Sequence, residues 1–176
     1  MSASAADRRR IRALLAELGI DHGLPKRRKL VAFGEARRLV FAGIGTDGRD
    51  KFLAPGAARA WRAMARRAGA DGVSLDLVSG FRSYEFQATL LRNKLAKGMA
   101  LPEILRINAP PGYSEHHTGA AVDVGSPGCP PLDEAFARTD AFRWLGASAK
   151  RFGFAMSYPR DNPQGYVYEP WHWRHR

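Results

Sequence analysis

Two long stretches with apolar residues at helical spacing flank one short alternating stretch, and this order constrains the fold more than anything else in the chain. From Pro55, the positions Ala58, Trp61, Met64, Ala65 and Ala68 lay an apolar stripe along a helix that ends at Gly69 to Gly72. Val73, Leu75 and Leu77 then alternate with Ser74 and Asp76, which predicts a half-buried strand running into Ser79-Gly80-Phe81-Arg82-Ser83. A second helix follows through Leu90, Leu91 and Leu95 and stops at Gly98. Ahead of this unit, Ile11, Leu14, Leu15 and Leu18 predict a short amphipathic helix closed by Gly19. Leu39-Val40-Phe41 and Phe52-Leu53, on either side of a turn-rich stretch, predict two strands or a loose hairpin. Beyond it the pattern predicts a strand over 120–124, a helix over 140–151 and a strand over 154–158. The segment 166–174 is expected to be strand-like, since Pro170 argues against helix. Helices and strands mix without a repeated βαβ rhythm, so the expected class is α+β.

At 176 residues and 45% hydrophobic side chains the chain suffices for one domain with a core of its own. No apolar run approaches the roughly 20 residues that span a bilayer. The first apolar stretch, Ile11 to Ile20, is broken by Arg12 and Glu17, which leaves no signal-peptide core. If Met1 is the true start, the expected location is the cytoplasm; a processed precursor would be periplasmic or extracellular. The single cysteine, Cys129, excludes an internal disulfide and a multi-cysteine metal cluster, so any metal must rest on histidine and carboxylate. In Gly128-Cys129-Pro130-Pro131 it reads as a small part-buried side chain.

The net charge of +11 is unevenly spread: residues 1–70 hold 16 Lys/Arg against 6 Asp/Glu, and residues 71–176 hold 12 against 11. Such asymmetry can draw anionic partners. The clusters Arg8-Arg9-Arg10 and Lys26-Arg27-Arg28-Lys29 lack interleaved aromatics, so they read as solvated faces and specific nucleic-acid binding is not expected. A basic nucleic-acid-binding protein is the rival reading this segment supports. The expected division is a basic helix and connector over 1–35 and a main domain over 36–176.

Four of the five histidines, His116, His117, His172 and His175, fall in two short segments rich in acids and aromatics. In Ser114 to Asp123, small residues lead from the histidines into an apolar stretch ending in an acid, which can place His116 and Asp123 around one point. A catalytic zinc takes three N or O ligands and keeps a fourth position for water. Glu169-Pro170-Trp171-His172-Trp173 supplies the third, His172, and Glu169 is then the natural general base. A regular strand would send Glu169 and His172 to opposite faces, so a bulge or turn at Pro170 is required. His117 reads as a residue at the rim of the pocket or as one that supports the site from behind, and His175 as solvent-exposed. Trp144, Trp171 and Trp173 read as packing residues.

Three segments together carry a resemblance: S-G-F-R-S-Y-x-x-Q from Ser79 to Gln87, S-E-H-H-T-G-A-A-V-D from Ser114 to Asp123, and Y-E-P-W-H-W from Tyr168 to Trp173. In order and spacing they resemble the signature segments of the VanY-type D-alanyl-D-alanine carboxypeptidases, over roughly residues 36 to 174. The resemblance implies a Hedgehog and D-Ala-D-Ala peptidase-like architecture, in which a small antiparallel sheet carries one zinc ion and helices cover one side. It implies His116, Asp123 and His172 as zinc ligands, with Glu169 as base. Arg82 resembles the arginine that stabilises the substrate carbonyl or its oxyanion, and Gln87, Ser114 and Tyr158 correspond to residues lining the peptide site. The implied substrates are peptidoglycan stem peptides or muropeptides. Members cleave either D-Ala-D-Ala in pentapeptides or the L,D bond of tetrapeptides, and the motifs do not separate these. A phage-type peptidoglycan endopeptidase and a zinc-containing binding module without catalysis are the remaining alternatives.

Overall fold

A computed structural model describes residues 2–176. The chain opens with α1 (Ala5–Glu17), held at its start by a capping box: Ser4 Oγ accepts from the Asp7 amide, and Asp7 accepts from the Ser4 amide. A one-turn helix α2 (Leu24–Arg27) follows, then the antiparallel hairpin of β1 (Val40–Ile44) and β2 (Asp50–Leu53). Next come α3 (Pro55–Ala70), β3 (Asp76–Ser79), α4 (Tyr84–Ala96) and α5 (Leu101–Ile107). A 3-10 turn (Glu115–Thr118) leads into β4 (Ala121–Gly125), and α6 (Asp140–Ser148), β5 (Phe154–Met156) and β6 (His172–His175) complete the chain.

The second sheet has the order β3-β4-β6-β5, antiparallel throughout, and the expected α+β class holds. Val122 and Val124 of β4 share one core with Leu77, with Trp61 and Met64 of α3 and with Leu145 of α6. Alternation along β4 turns Asp123 to the opposite face. A second core joins Ile11 and Leu15 of α1 to Tyr84, Ala88 and Leu91 of α4 and to Ile104 and Leu105 of α5. The connector between α2 and β1 is stitched to the loops around residues 112–117. Phe33 N donates to Gly112 O at 2.8 Å and Ala36 N to His117 O at 2.8 Å. Glu35 accepts from the Tyr84 amide at 2.5 Å, capping the start of α4. Among the described residues, no helix is long and apolar enough to cross a membrane.

Several expectations need correction. The strand after α3 begins at Asp76, because Val73 closes the preceding helix by donating to Ala68 O. The segment 166–174 is strand only from His172: Tyr166 is tied instead to Asn162, whose side chain bonds both its amide and its carbonyl. The helix expected to run to residue 151 ends at Ser148 and tightens into a 3-10 turn, and the strand from Phe154 is only three residues long. Helix α5 was not anticipated, since Pro102 in its first turn masks a segment of only seven residues. In the basic clusters, Arg10 is paired with Glu35 and Glu85 rather than freely solvated, and Arg28 is bonded to two carbonyls.

Candidate active site

Sheet register brings the first pair together: Asp123 of β4 lies directly opposite His172 of β6. The turn anticipated at Pro170 is present, with His172 N donating to Glu169 O at 3.1 Å, and it delivers Glu169 to the same side as His172. His116 comes from the 3-10 turn that Gly119 ends in a left-handed conformation, φ 64°. A side chain at Gly119 would meet Ala54 N at 2.8 Å, so the turn can close this tightly only on glycine. His116 Nδ1 lies 2.6 Å from Gly80 O. A carbonyl only accepts, so Nδ1 carries the proton and Nε2 keeps a free lone pair. Nε2 is 3.2 Å from Asp123 Oδ2 yet is buried without an aligned hydrogen bond. His172 lies with Nδ1 3.0 Å from Asp123 Oδ1 and Nε2 3.0 Å from Glu115 Oε2. One ligand atom each from His116, Asp123 and His172 converge within 4.8 Å, and all three residues are buried.

The charges show what this arrangement lacks. Burial alone would raise Asp123, but His116 and His172 hold it far below the usual carboxylate range. Burial likewise opposes ionisation of Glu115, but bonds from His172 and Ser157 and the charge of Arg174 hold it at about 2. His116 is pushed down to about 4 by burial, with Arg82 adding. His172 is driven the other way, to about 10, because Asp123 and Glu115 outweigh its burial. Two buried carboxylates thus force a proton onto one imidazole while another offers an unused lone pair. A dipositive ion among His116 Nε2, Asp123 and His172 Nδ1 satisfies both demands, so the donor set fits a metal of the zinc type. Glu115 would then hold the far nitrogen of His172, as carboxylates do behind metal-bound histidines.

Glu169 faces this centre, with Oε2 4.0 Å from His172 Nδ1 and its amide bonded to Tyr158 O. Burial pushes its carboxyl up to about 7; Asp123 and Glu115 add to the rise, and His172 and Arg82 oppose it. Arg82 sits just before α4, with Nη2 3.9 Å from Asp123 Oδ2 and with Nε buried and unpartnered. Gln87 donates to Ala109 O at 2.8 Å, which leaves its Oε1 buried without a donor. Arg82, Gln87, Ser114, His116, Tyr158, Glu169 and His172 line one cleft. Tyr158 packs its ring 4.7 Å from His172. The structure therefore gathers every candidate residue, with Asp123 between the two histidines.

Residues 50–176 match the family model described as VanY: D-alanyl-D-alanine carboxypeptidase. The chain belongs to this family. It is 35% identical over 118 residues to a D-alanyl-D-alanine carboxypeptidase of Enterococcus faecalis, covering 61% of this chain and 42% of the relative. The chain spans about half or less of the length of three curated relatives it matches, 40% to 47%. Among solved structures it is similar to the LD-carboxypeptidase LdcB, with a TM-score of 0.71 and 33% identity over 80% of this chain and 69% of that one. It is also similar to a mutant of the vancomycin-resistance D,D-pentapeptidase VanY in complex with Zn(II), with a TM-score of 0.62 and 29% identity over 78% of each chain.

Of the two positions open to His117, the structure has the one behind the site: it is fully buried, Nδ1 lies 2.6 Å from Arg82 O and Nε2 accepts from Gly112 N. It ties the Arg82 loop to the 109–112 loop. His175 is half-buried, its ring 5.3 Å from Phe154. Glu115 was passed over because it completes no zinc motif. The available signal was three titratable residues in a row: in a 3-10 turn of roughly three residues per turn, consecutive side chains point to different sides. Glu115, His116 and His117 accordingly reach three separate partners.

Proposed function

We propose that this chain is a zinc-dependent carboxypeptidase that hydrolyses the amide bond before the terminal D-alanine of peptidoglycan stem peptides. The observation that carries the reading is the convergence of His116, Asp123 and His172 beside Glu169 and Arg82 in one cleft. His116 Nε2, Asp123 and His172 Nδ1 would hold the zinc ion, which when bound acts as a Lewis acid and makes water acidic. Glu169 takes the proton of the attacking water and delivers one to the departing amine; it is the carboxylate that faces the centre without being one of its three converging residues. Arg82 offers several guanidinium donors to the developing oxyanion. Gln87 Oε1, buried without a donor, accepts from a peptide N–H.

Terminal D,D cleavage follows the family description, whereas the likeness to LdcB favours the L,D bond of a tetrapeptide as second reading. Pentapeptide and tetrapeptide offered side by side to the zinc-loaded protein, with products read by mass, decide between them. Release of D-alanine from neither, or cleavage that a chelator leaves unchanged, sinks the proposal. Glu115→Gln tests the metal more finely. It keeps the shape behind His172 and removes the charge, so zinc affinity measured by chelator competition is expected to fall about 10- to 100-fold.

A further inference from the structure

A groove beside the cleft has a chemistry of its own. Its walls are Lys29 and Phe33 of the connector, Tyr113, Arg174 of β6, and the paired rings of Tyr158 and Tyr166. Tyr158 and Tyr166 also line the cleft that holds His116, His172 and Glu169, so groove and cleft share a wall. The one acid in the groove, Glu115, is already matched by Arg174, Ser157 and His172. Lys29 makes no ion pair among the described residues, so its charge in the groove wall is unmatched. Tyr166 is more than nine-tenths buried, yet its hydroxyl has no hydrogen-bond partner.

The wall is rigid. Arg28 donates to Gln164 O and to Leu105 O, each at 2.6 Å, and lies over the Tyr166 ring at 4.3 Å. Lys29 adopts a left-handed φ of 52° at the end of α2, with Leu30 N donating to Pro25 O. Glycine is the inexpensive residue at such a helix end. A lysine there costs conformational strain, and this lysine lines the groove.

We propose that this groove is a second subsite, which takes a carboxylate of the peptide upstream of the scissile bond through Lys29 and the Tyr166 hydroxyl. The inference rests on the proposed carboxypeptidase reading. It adds a specificity-determining role for a connector that lies outside the residues matched to the family.

The test uses the zinc-loaded full chain and two N-acetylated peptides ending in D-alanine, identical except for one upstream residue, glutamyl or glutaminyl. At low salt the wild type is expected to favour the acidic peptide in kcat/KM by about fivefold, the scale of a good partly exposed ion pair. Lys29→Gly relieves the strained backbone, so it folds, and brings the ratio to about one. Lys29→Glu takes it below one. Arg59→Glu, an equal charge change on an exposed position of α3, keeps the wild-type ratio. A wild-type ratio of one, or an unaltered ratio in Lys29→Glu, overturns the subsite. If neither peptide is cleaved, the catalytic reading fails instead, and calorimetric titration of both peptides into Glu169→Gln reads the groove without turnover. There, equal affinities overturn the subsite, and a preference for the acidic peptide that Lys29→Gly abolishes supports it.

Discussion

Glu169→Gln is expected to lower kcat about 10²- to 10⁴-fold, the range for removal of a positioned general base, with zinc content unchanged. The amide keeps the size of the side chain but cannot take a proton, and it is not among the three converging ligands. Stability gives an independent check. In the metal-free protein Glu169 titrates at about 7 rather than the ordinary 4.5, chiefly because it is buried. Between those values the folded state holds a proton that the unfolded chain has released. Its contribution to stability is therefore complete below about pH 4.5 and lost as pH rises through about 7. Glutamine cannot ionise, so at pH 8 the metal-free variant should melt above the metal-free wild type. Higher stability with lower turnover separates loss of the base from loss of the fold. Wild-type activity in the variant would remove Glu169 from the role of base.

The second large effect is expected from His116→Ala. This removes the proposed ligand whose lone pair is left free by the Gly80 bond, leaving Asp123 and His172 alone in a buried site. Activity should drop by more than the roughly 100-fold that loss of an outer partner costs. Metal analysis should find the purified variant empty. Wild type should gain thermal stability on adding zinc, because the ion binds only the folded state, and the variant should gain little. A His116→Ala protein that still carried stoichiometric zinc would place the metal elsewhere.

Sequence patterns revealed the long helices and the short strands because each buries one regular face: the stripe from Ala58 to Ala68 repeats at helical spacing and is buried as expected. Asp123 and His172 were legible from two short segments that cluster histidines and acids, and adjacent antiparallel strands place them opposite each other. What escaped depended on contacts distant in sequence. Glu115 acquires its role only when residue 172 returns to it, and His117 only when Arg82 O and Gly112 N close around it. The irregular course of 166–171 is set by side-chain bonds from Asn162, which carry no periodicity. Arg28 looked like one solvated charge among four, yet the loop carbonyl at residue 164 takes it out of water.

The stitching of residues 33–36 onto the 112–117 loops and the start of α4 bears on what can be moved as a part. The family match begins at residue 50, but the amides and the carboxylate that hold the histidine turn and cap α4 belong to residues before it. A fusion or chimaera cut at the homologous border would inherit the ligands and leave behind the scaffolding that fixes their spacing. The portable unit is longer than the matched one, and it includes residues 33–36.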